Sequence, residues 1–115
     1  MLCYNKTDIL ELLNSDEKII MPHALFDTMQ YKLVRLEVKW AYVACLNVLV
    51  KEALYHDDLA YIREDNDQIK EALKEIAHKK VDQEKINGYL DELEEYGLIE
   101  RTNGDVYLKK MMNIF

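Results

Sequence analysis

The alternation of apolar and polar positions is most regular in residues 81–109. Ile86, Leu90 and Leu93 recur at the spacing of one helix face, which predicts an amphipathic helix. Asp82 precedes this run and is a residue type that caps helix starts. The pattern therefore predicts a helix that begins just after Asp82.

The end of this helix and the segment after it carry turn and strand signals. Gly97 supplies a left-handed residue that ends the helix, and Leu98 begins a strand. Asn103-Gly104 is the strongest short hairpin signal, because both central positions of a type I′ turn require positive φ. Val106 and Leu108 alternate on the returning strand. A helix that runs into a hairpin is the second half of a winged helix-turn-helix.

The preceding segment fits the first half of the same motif. Asn66 or Asp67 begins a helix, residues 78–80 form the turn, and Leu59–Ile62 form a small first strand. The apolar positions of that helix are Ile69, Leu73 and Ile76. We therefore predict a mainly α fold with a small β-hairpin, a winged helix-turn-helix.

The first half of the chain predicts a long central helix preceded by shorter pieces. Residues 36–55 are apolar around nearly the whole helix circumference, so this helix is central, and Asp57-Asp58 forms a polar break after it. Thr7 caps a short helix, Asp8–Leu13, and Pro22 imposes an extended segment. The residues expected to pack inward from these two pieces are Ile9, Leu12, Leu13, Ile19, Ile20 and Met21. A short helical turn, residues 24–29, follows.

Length and composition indicate one domain, residues 1–115, with a short N-terminal helix and an apolar C-terminal tail. Three glycines and one proline favour a mostly helical chain. There is no signal-peptide pattern and no uncharged apolar run of membrane-spanning length, so we expect a cytoplasmic protein without a membrane partner. Cys3, near an end expected to fray, and Cys45, in an apolar helix, are expected to be reduced thiols.

Charge argues against tight, nonspecific binding to duplex DNA. The formal net charge is −7, and residues 57–76 hold three basic and seven acidic side chains. Basic side chains cluster only at Lys79-Lys80 and on or just after the predicted wing, at Arg101 and Lys109-Lys110.

The N-terminal half resembles a known family. The stretch IIMPHALF followed by YKLVRLEVKWAY is similar to the opening of plasmid replication initiator A proteins and phage replisome-organiser N-terminal domains. The matching residues are Pro22, Ala24, Leu25, Phe26, Tyr31, Lys32, Glu37, Lys39 and Tyr42. The chain departs from the pattern at Val34, Arg35 and Val38, where that family usually has Leu, Ser or Thr, and Ala. The similar stretches cover about residues 18–109.

This resemblance implies a winged-helix domain that serves DNA replication in a plasmid, a phage or another mobile genetic element. Such domains are commonly dimeric and bind the replication origin. The chain then has two classes of partner: DNA, single- or double-stranded and bound weakly by this chain alone, and a replication enzyme of the same element, a primase, polymerase or helicase. Whether the chain forms a homodimer is left open by the sequence.

Candidate DNA contacts follow from the predicted motif. Lys79 and Lys80 are placed to hold flanking phosphates. On the recognition helix Gln83, Lys85 and Asn87 are the base-reading types, whereas Asp82 and Glu84 repel phosphate. The candidate wing contacts are Arg101, Lys109 and Tyr107, whose ring can stack on an unpaired base.

Two further features bear on partners. Gly88 within the recognition helix implies close approach of another backbone, first within the domain and second from a partner. The tail holds three apolar candidates for partner binding, Met112, Ile114 and Phe115. The tail either folds back over the domain or docks on a partner, and the sequence leaves both open.

No catalytic motif, metal-site spacing or cofactor motif is present, so we expect a non-enzyme with no cofactor and no metal site. The leading hypothesis is an accessory or initiator protein of replication that acts as an adaptor. The alternative is a homodimeric winged-helix transcriptional repressor or partition-type DNA-binding regulator. A third class is a scaffold that binds only protein.

Overall fold

The computed structural model describes residues 2–111 and shows a mixed α/β architecture of five helices and a four-stranded antiparallel sheet. The helices are α1 (Lys6–Leu13), α2 (His23–Asp27), α3 (Leu36–Glu52), α4 (Gln68–Ala77) and α5 (Gln83–Glu95), with a 3₁₀ turn at Met29–Tyr31. The strands are β1 (Leu54–His56), β2 (Leu59–Arg63), β3 (Ile99–Thr102) and β4 (Asp105–Leu108). The β content is larger than the single hairpin and short strand that the sequence predicted.

Helix α3 forms the centre of the core, as its apolar circumference predicted. It packs against α1, α4, α5 and β2. From Ala41 to Val50 every residue is buried. Trp40 belongs to the segment predicted to be central, but it is only partly buried and packs at the edge of the core, with its ring centre 5.2 Å from that of Phe26. The helix ends at Glu52 rather than at Tyr55, because Leu54 and Tyr55 pair with β2 instead.

The extended segment before α2 is fixed to α3 by one buried amide. Asn47 accepts a hydrogen bond from the Ile20 N–H at 2.8 Å and donates to the Ile20 carbonyl at 2.9 Å. Ile20 is buried and Met21 is partly buried, but Ile19 is 38% exposed, so the expectation that all three pack inward was wrong for Ile19. Alternation along an extended chain accounts for the difference, because neighbouring side chains point to opposite sides.

Helix α1 begins at Lys6, two residues earlier than the predicted start at Asp8. Asn5 caps it, and a capping box forms in which the Asn5 side chain accepts from the Asp8 N–H at 3.0 Å while Asp8 accepts from the Asn5 N–H. Ile9 and Leu12 are buried against α3, whereas Leu13 is 53% exposed. The predicted stripe was therefore too wide, because this short helix turns only one narrow face to the core.

The sheet has the order β1-β2-β4-β3, and β2 and β4 pair directly at only two positions. The N-terminal segment, residues 2–5, fills the remaining gap between them. The Tyr4 N–H donates to the Leu108 carbonyl, and the Tyr4 carbonyl accepts from the Ala60 N–H. Cys3 pairs with Lys109 and is buried, so the expected fraying of this end was wrong. Cys3 and Cys45 are both free thiols, as predicted.

The helices α4 and α5 and the hairpin β3–β4 follow the predicted turn chemistry. Asp82 caps α5 by accepting from the Lys85 N–H at 2.9 Å. Gly97 has φ of 74°, and Asn103 and Gly104 have φ of 52° and 85°, so the predicted αL stop and the hairpin turn are confirmed. No helix among residues 2–111 has the length and apolar character needed to cross a membrane.

Candidate nucleic-acid interface

The two lysines of the α4–α5 turn have different environments. Lys79 is partly buried, and its Nζ lies 3.8 Å from Glu37 Oε2 at the start of α3. Lys80 is exposed. Of the two residues predicted to hold phosphates, only Lys80 thus has a side chain with no ion-pair partner among residues 2–111.

Two of the polar side chains in the first turns of α5, Gln83 and Asn87, are engaged in hydrogen bonds within the domain. Gln83 Nε2 donates to the Glu64 carbonyl at 3.0 Å and to Asn87 Oδ1 at 2.9 Å. Lys85 is exposed, and its Nζ lies 5.6 Å from the centre of the Tyr89 ring. Base reading by Gln83 would therefore require these hydrogen bonds to break.

Arg101 is neutralised by carboxylates of the same chain. Its guanidinium donates to Glu94 at 2.8 and 3.1 Å, binds Asp91, and lies 3.6 Å from Glu64. The side chain is only 19% exposed. A cation held in this way has little charge left for a phosphate.

The strand alternation separates Arg101 from Tyr107. Arg101 pairs with Val106, whose side chain is buried, while Tyr107 pairs with Glu100 on the other face of the sheet. The Tyr107 ring packs 5.6 Å from the Tyr61 ring. Arg101 and Tyr107 thus do not form one wing surface, contrary to the prediction that placed them together.

Lys109 follows β4, and its side chain lies over the 3₁₀ turn rather than at the β3–β4 turn. Its Nζ lies 5.8 Å from the centre of the Tyr31 ring, and its carbonyl accepts from the Tyr42 hydroxyl at 2.6 Å. The eight candidate DNA contacts are therefore divided among the turn, α5, both sheet faces and the end of β4. The three tail candidates, Met112, Ile114 and Phe115, lie outside the described residues.

Sequence reasoning missed a charged network that joins α3 to α5. Arg35 donates to both carboxylate oxygens of Glu92, at 3.0 and 2.5 Å, and also binds Glu37. The Tyr89 hydroxyl donates to Glu37 at 3.0 Å and is the main cause that lowers the pKa of Glu37. The hydrogen bond from Arg35 likewise lowers the pKa of Glu92. Arg35 was noted only as a departure from a family pattern.

Next to this network, α5 forms the floor of an open hollow of about 380 Å³. Its lining residues are Arg35, Asp82, Glu84, Lys85, Gly88, Tyr89 and Glu92. A Cβ built on Gly88 would meet no atom within 4 Å. The prediction that Gly88 allows close packing within the domain was therefore wrong, because the glycine faces the hollow.

No protein-family model, no curated protein and no solved structure matches this chain. The resemblance to replication initiators therefore rests on the residues quoted for it.

Proposed function

We propose that this chain is a winged-helix adaptor of the replication machinery of a plasmid, phage or other mobile genetic element, and that it acts mainly through a protein partner. Three features support the winged-helix interpretation: the order α4, turn, α5 and hairpin, the pairing of β2 with β4, and the packing of α3 on both α4 and α5. The assignment to replication is supported by the resemblance of residues 18–109.

The neutralised cations around α5 carry the preference for a protein partner. Arg101 and Lys79 are bound to carboxylates of the same domain. The exposed carboxylates of α5 include Glu84, Asp91 and Glu95. Such a surface repels the phosphate backbone, which supplies most nonspecific affinity for DNA. In this proposal DNA contact is weak in the isolated chain and improves in a complex.

Co-expression with the replication enzyme encoded beside this chain tests the proposal. Size-exclusion chromatography with light scattering is expected to show a stable complex of defined stoichiometry. That complex is also expected to bind labelled DNA more tightly than either component does. If the two proteins elute apart while this chain forms a homodimer that shifts a palindromic duplex, the adaptor proposal fails and the regulator alternative replaces it.

A further inference from the structure

Gly88 lies in the middle of α5, where the interior of the domain gives no reason for a glycine. Glycine disfavours a helix more than any residue except proline, and an added Cβ would meet no atom within 4 Å. The missing side chain leaves the α5 backbone open at the floor of the hollow described above. This arrangement suits the close approach of a second backbone from outside.

Exposed apolar side chains recur along the chain on both sides of Arg35, which lines this hollow, from the 3₁₀ turn to the first residue of α3. Met29 is 77% exposed, Leu33 is 80% exposed and Leu36 is 62% exposed. The Tyr96 ring, 43% exposed, joins them to the end of α5, because its hydroxyl donates to the Leu33 carbonyl at 3.3 Å. Large apolar side chains exposed together mark a contact surface.

The rim of this surface is acidic. Carboxylates outnumber the cations here: Lys32 and Lys85 are exposed, Arg35 is bound to Glu37 and Glu92, and Arg101 is bound to Asp91 and Glu94. The carboxylates are Asp82, Glu84, Asp91, Glu92, Glu94 and Glu95. The last turn of α5 contains no basic residue, so acids stand at the negative end of the helix dipole, where they are unfavourable. Cations from a partner would relieve this repulsion.

We propose that the hollow over Gly88 and the apolar group Met29, Leu33, Leu36 and Tyr96 form one docking surface, the α5 groove, for a basic amphipathic helix of a protein partner. The apolar face of that helix covers Leu33 and Leu36, its backbone approaches Gly88, and its lysines or arginines meet the acidic rim. This inference rests on the proposed function in one respect, that the chain acts through a protein partner. It adds the kind of segment by which that partner binds.

Two synthetic peptides test this chemistry directly. Both place leucines at i, i+3, i+4 and i+7 of a helix, and the remaining positions are lysine in one peptide and glutamate in the other. Fluorescence anisotropy is expected to show one-to-one binding of the leucine–lysine peptide and at least about tenfold weaker binding of the leucine–glutamate peptide. Failure of the leucine–lysine peptide to bind, or equal binding of both peptides, would overturn the proposal.

Variants locate the binding on the molecule. Leu33→Asp and Gly88→Gln are each expected to weaken binding of the leucine–lysine peptide by about tenfold or more. Their matched controls, Leu10→Asp on α1 and Asn87→Gln beside the hollow, are expected to bind as the unsubstituted chain does. Circular dichroism establishes that each variant is folded, and proton–nitrogen NMR spectra of the unsubstituted chain map the peptide contacts independently of the variants.

Two results separate this inference from other possibilities. Equal loss in the variants and in their controls, or NMR shifts confined to other faces, would show that the peptide binds through net charge alone and would overturn the α5 groove. A dimer of the free chain that Leu33→Asp dissociates would make a second copy the occupant, which also overturns it. The co-expression experiment is independent of both peptides, so a stable complex that is unaffected by Leu33→Asp leaves the adaptor proposal intact.

Discussion

Gly88 and Gly104 differ in what a side chain at each position would meet. Gly104 lies in the β3–β4 turn with φ of 85°, and an added Cβ would lie 2.5 Å from a guanidinium nitrogen of Arg63. That guanidinium donates to the Asn103 carbonyl at 2.8 Å and to Asp105 at 2.6 Å. The β3–β4 turn therefore favours glycine because of its positive φ, and a side chain there would also displace the Arg63 guanidinium, whereas Gly88 has helical backbone and open space.

This difference gives opposite expectations for two alanine substitutions. Gly88→Ala is expected to stabilise the isolated chain by roughly 1 kcal/mol, because alanine favours the helix and meets no clash. Gly104→Ala is expected to destabilise it, since alanine at positive φ is strained. Urea denaturation monitored by circular dichroism compares the two free energies of unfolding. A destabilising Gly88→Ala would show that the glycine has a packing role within the domain.

The hydrogen-bond partners of the polar residue Asn47 could not be predicted from its place in the sequence. It lies inside an apolar run, where periodicity predicts only burial, yet its amide forms three hydrogen bonds, two with Ile20 and one with the Val43 carbonyl. Ile20 is 27 positions away. The identity of Asn47 permits such bonds, but only the packed chain selects the partner.

At the scale of elements, the sequence predicted correctly those helix ends and turns that depend on residues close to each other in the chain. The start of α5, its end at Gly97 and the Asn103-Gly104 turn depend on residues within one turn of each other, so the sequence was sufficient to predict them. Strand β1 was missed because Leu54 and Tyr55 extend the apolar run of α3. Asp57, with φ of 54°, forms a two-residue turn with Asp58 that is a weaker sequence signal than Asn-Gly.

The N-terminal segment is an element that only long-range pairing creates. Tyr4 is 1% exposed, its backbone bonds to both β2 and β4, and its hydroxyl accepts from the Met111 N–H at 3.3 Å. Nothing in residues 2–5 alone predicts a strand between two others. Because this segment joins β2 to β4 beyond their two directly paired positions, the integrity of the sheet depends on it.

Tyr4→Ala is therefore expected to lower the free energy of unfolding by about 3–5 kcal/mol, through lost burial and the cavity that remains. Leu2→Ala is the control, because Leu2 belongs to the same segment but is 72% exposed, and it is expected to change stability little. Chemical denaturation of both variants gives the comparison. Equal small effects would mean that residues 2–5 contribute little to the sheet.

For the whole molecule, net charge could be predicted from the sequence but charge pairing could not. Arg101 was a candidate for DNA because it is basic and close to a hairpin turn. In the folded chain it binds Asp91 and Glu94, ten and seven positions away, across the contact between α5 and β3. Each cation of the predicted interface has to be judged by its neighbours, and of the two lysines at the α4–α5 turn Lys80 is the exposed one.

Binding to DNA by the isolated chain is therefore expected to be weak and to depend on few cations. Titration of labelled duplex and single strands at several salt concentrations is expected to give a slope of log affinity against log salt of only about −1 to −2, since each neutralised duplex phosphate contributes roughly −0.9. Changing both Lys79 and Lys80 to Gln should remove most of this binding.

Lys51→Gln is the control for these lysine substitutions, because Lys51 lies in the last turn of α3, whereas Lys79 contacts Glu37 in the first. A span of 14 residues of helix separates those two turns by roughly 21 Å, beyond the Debye length of about 8 Å at physiological salt. The Lys51 variant should therefore bind DNA as the unsubstituted chain does.

Tight, sequence-specific duplex binding by the unsubstituted chain at physiological salt would contradict the adaptor proposal. Affinity of that kind requires base contacts, and the hydrogen bonds of Gln83 with Asn87 and with the Glu64 carbonyl oppose such contacts. An initiator or repressor that rearranges α5 on DNA would then explain the protein better.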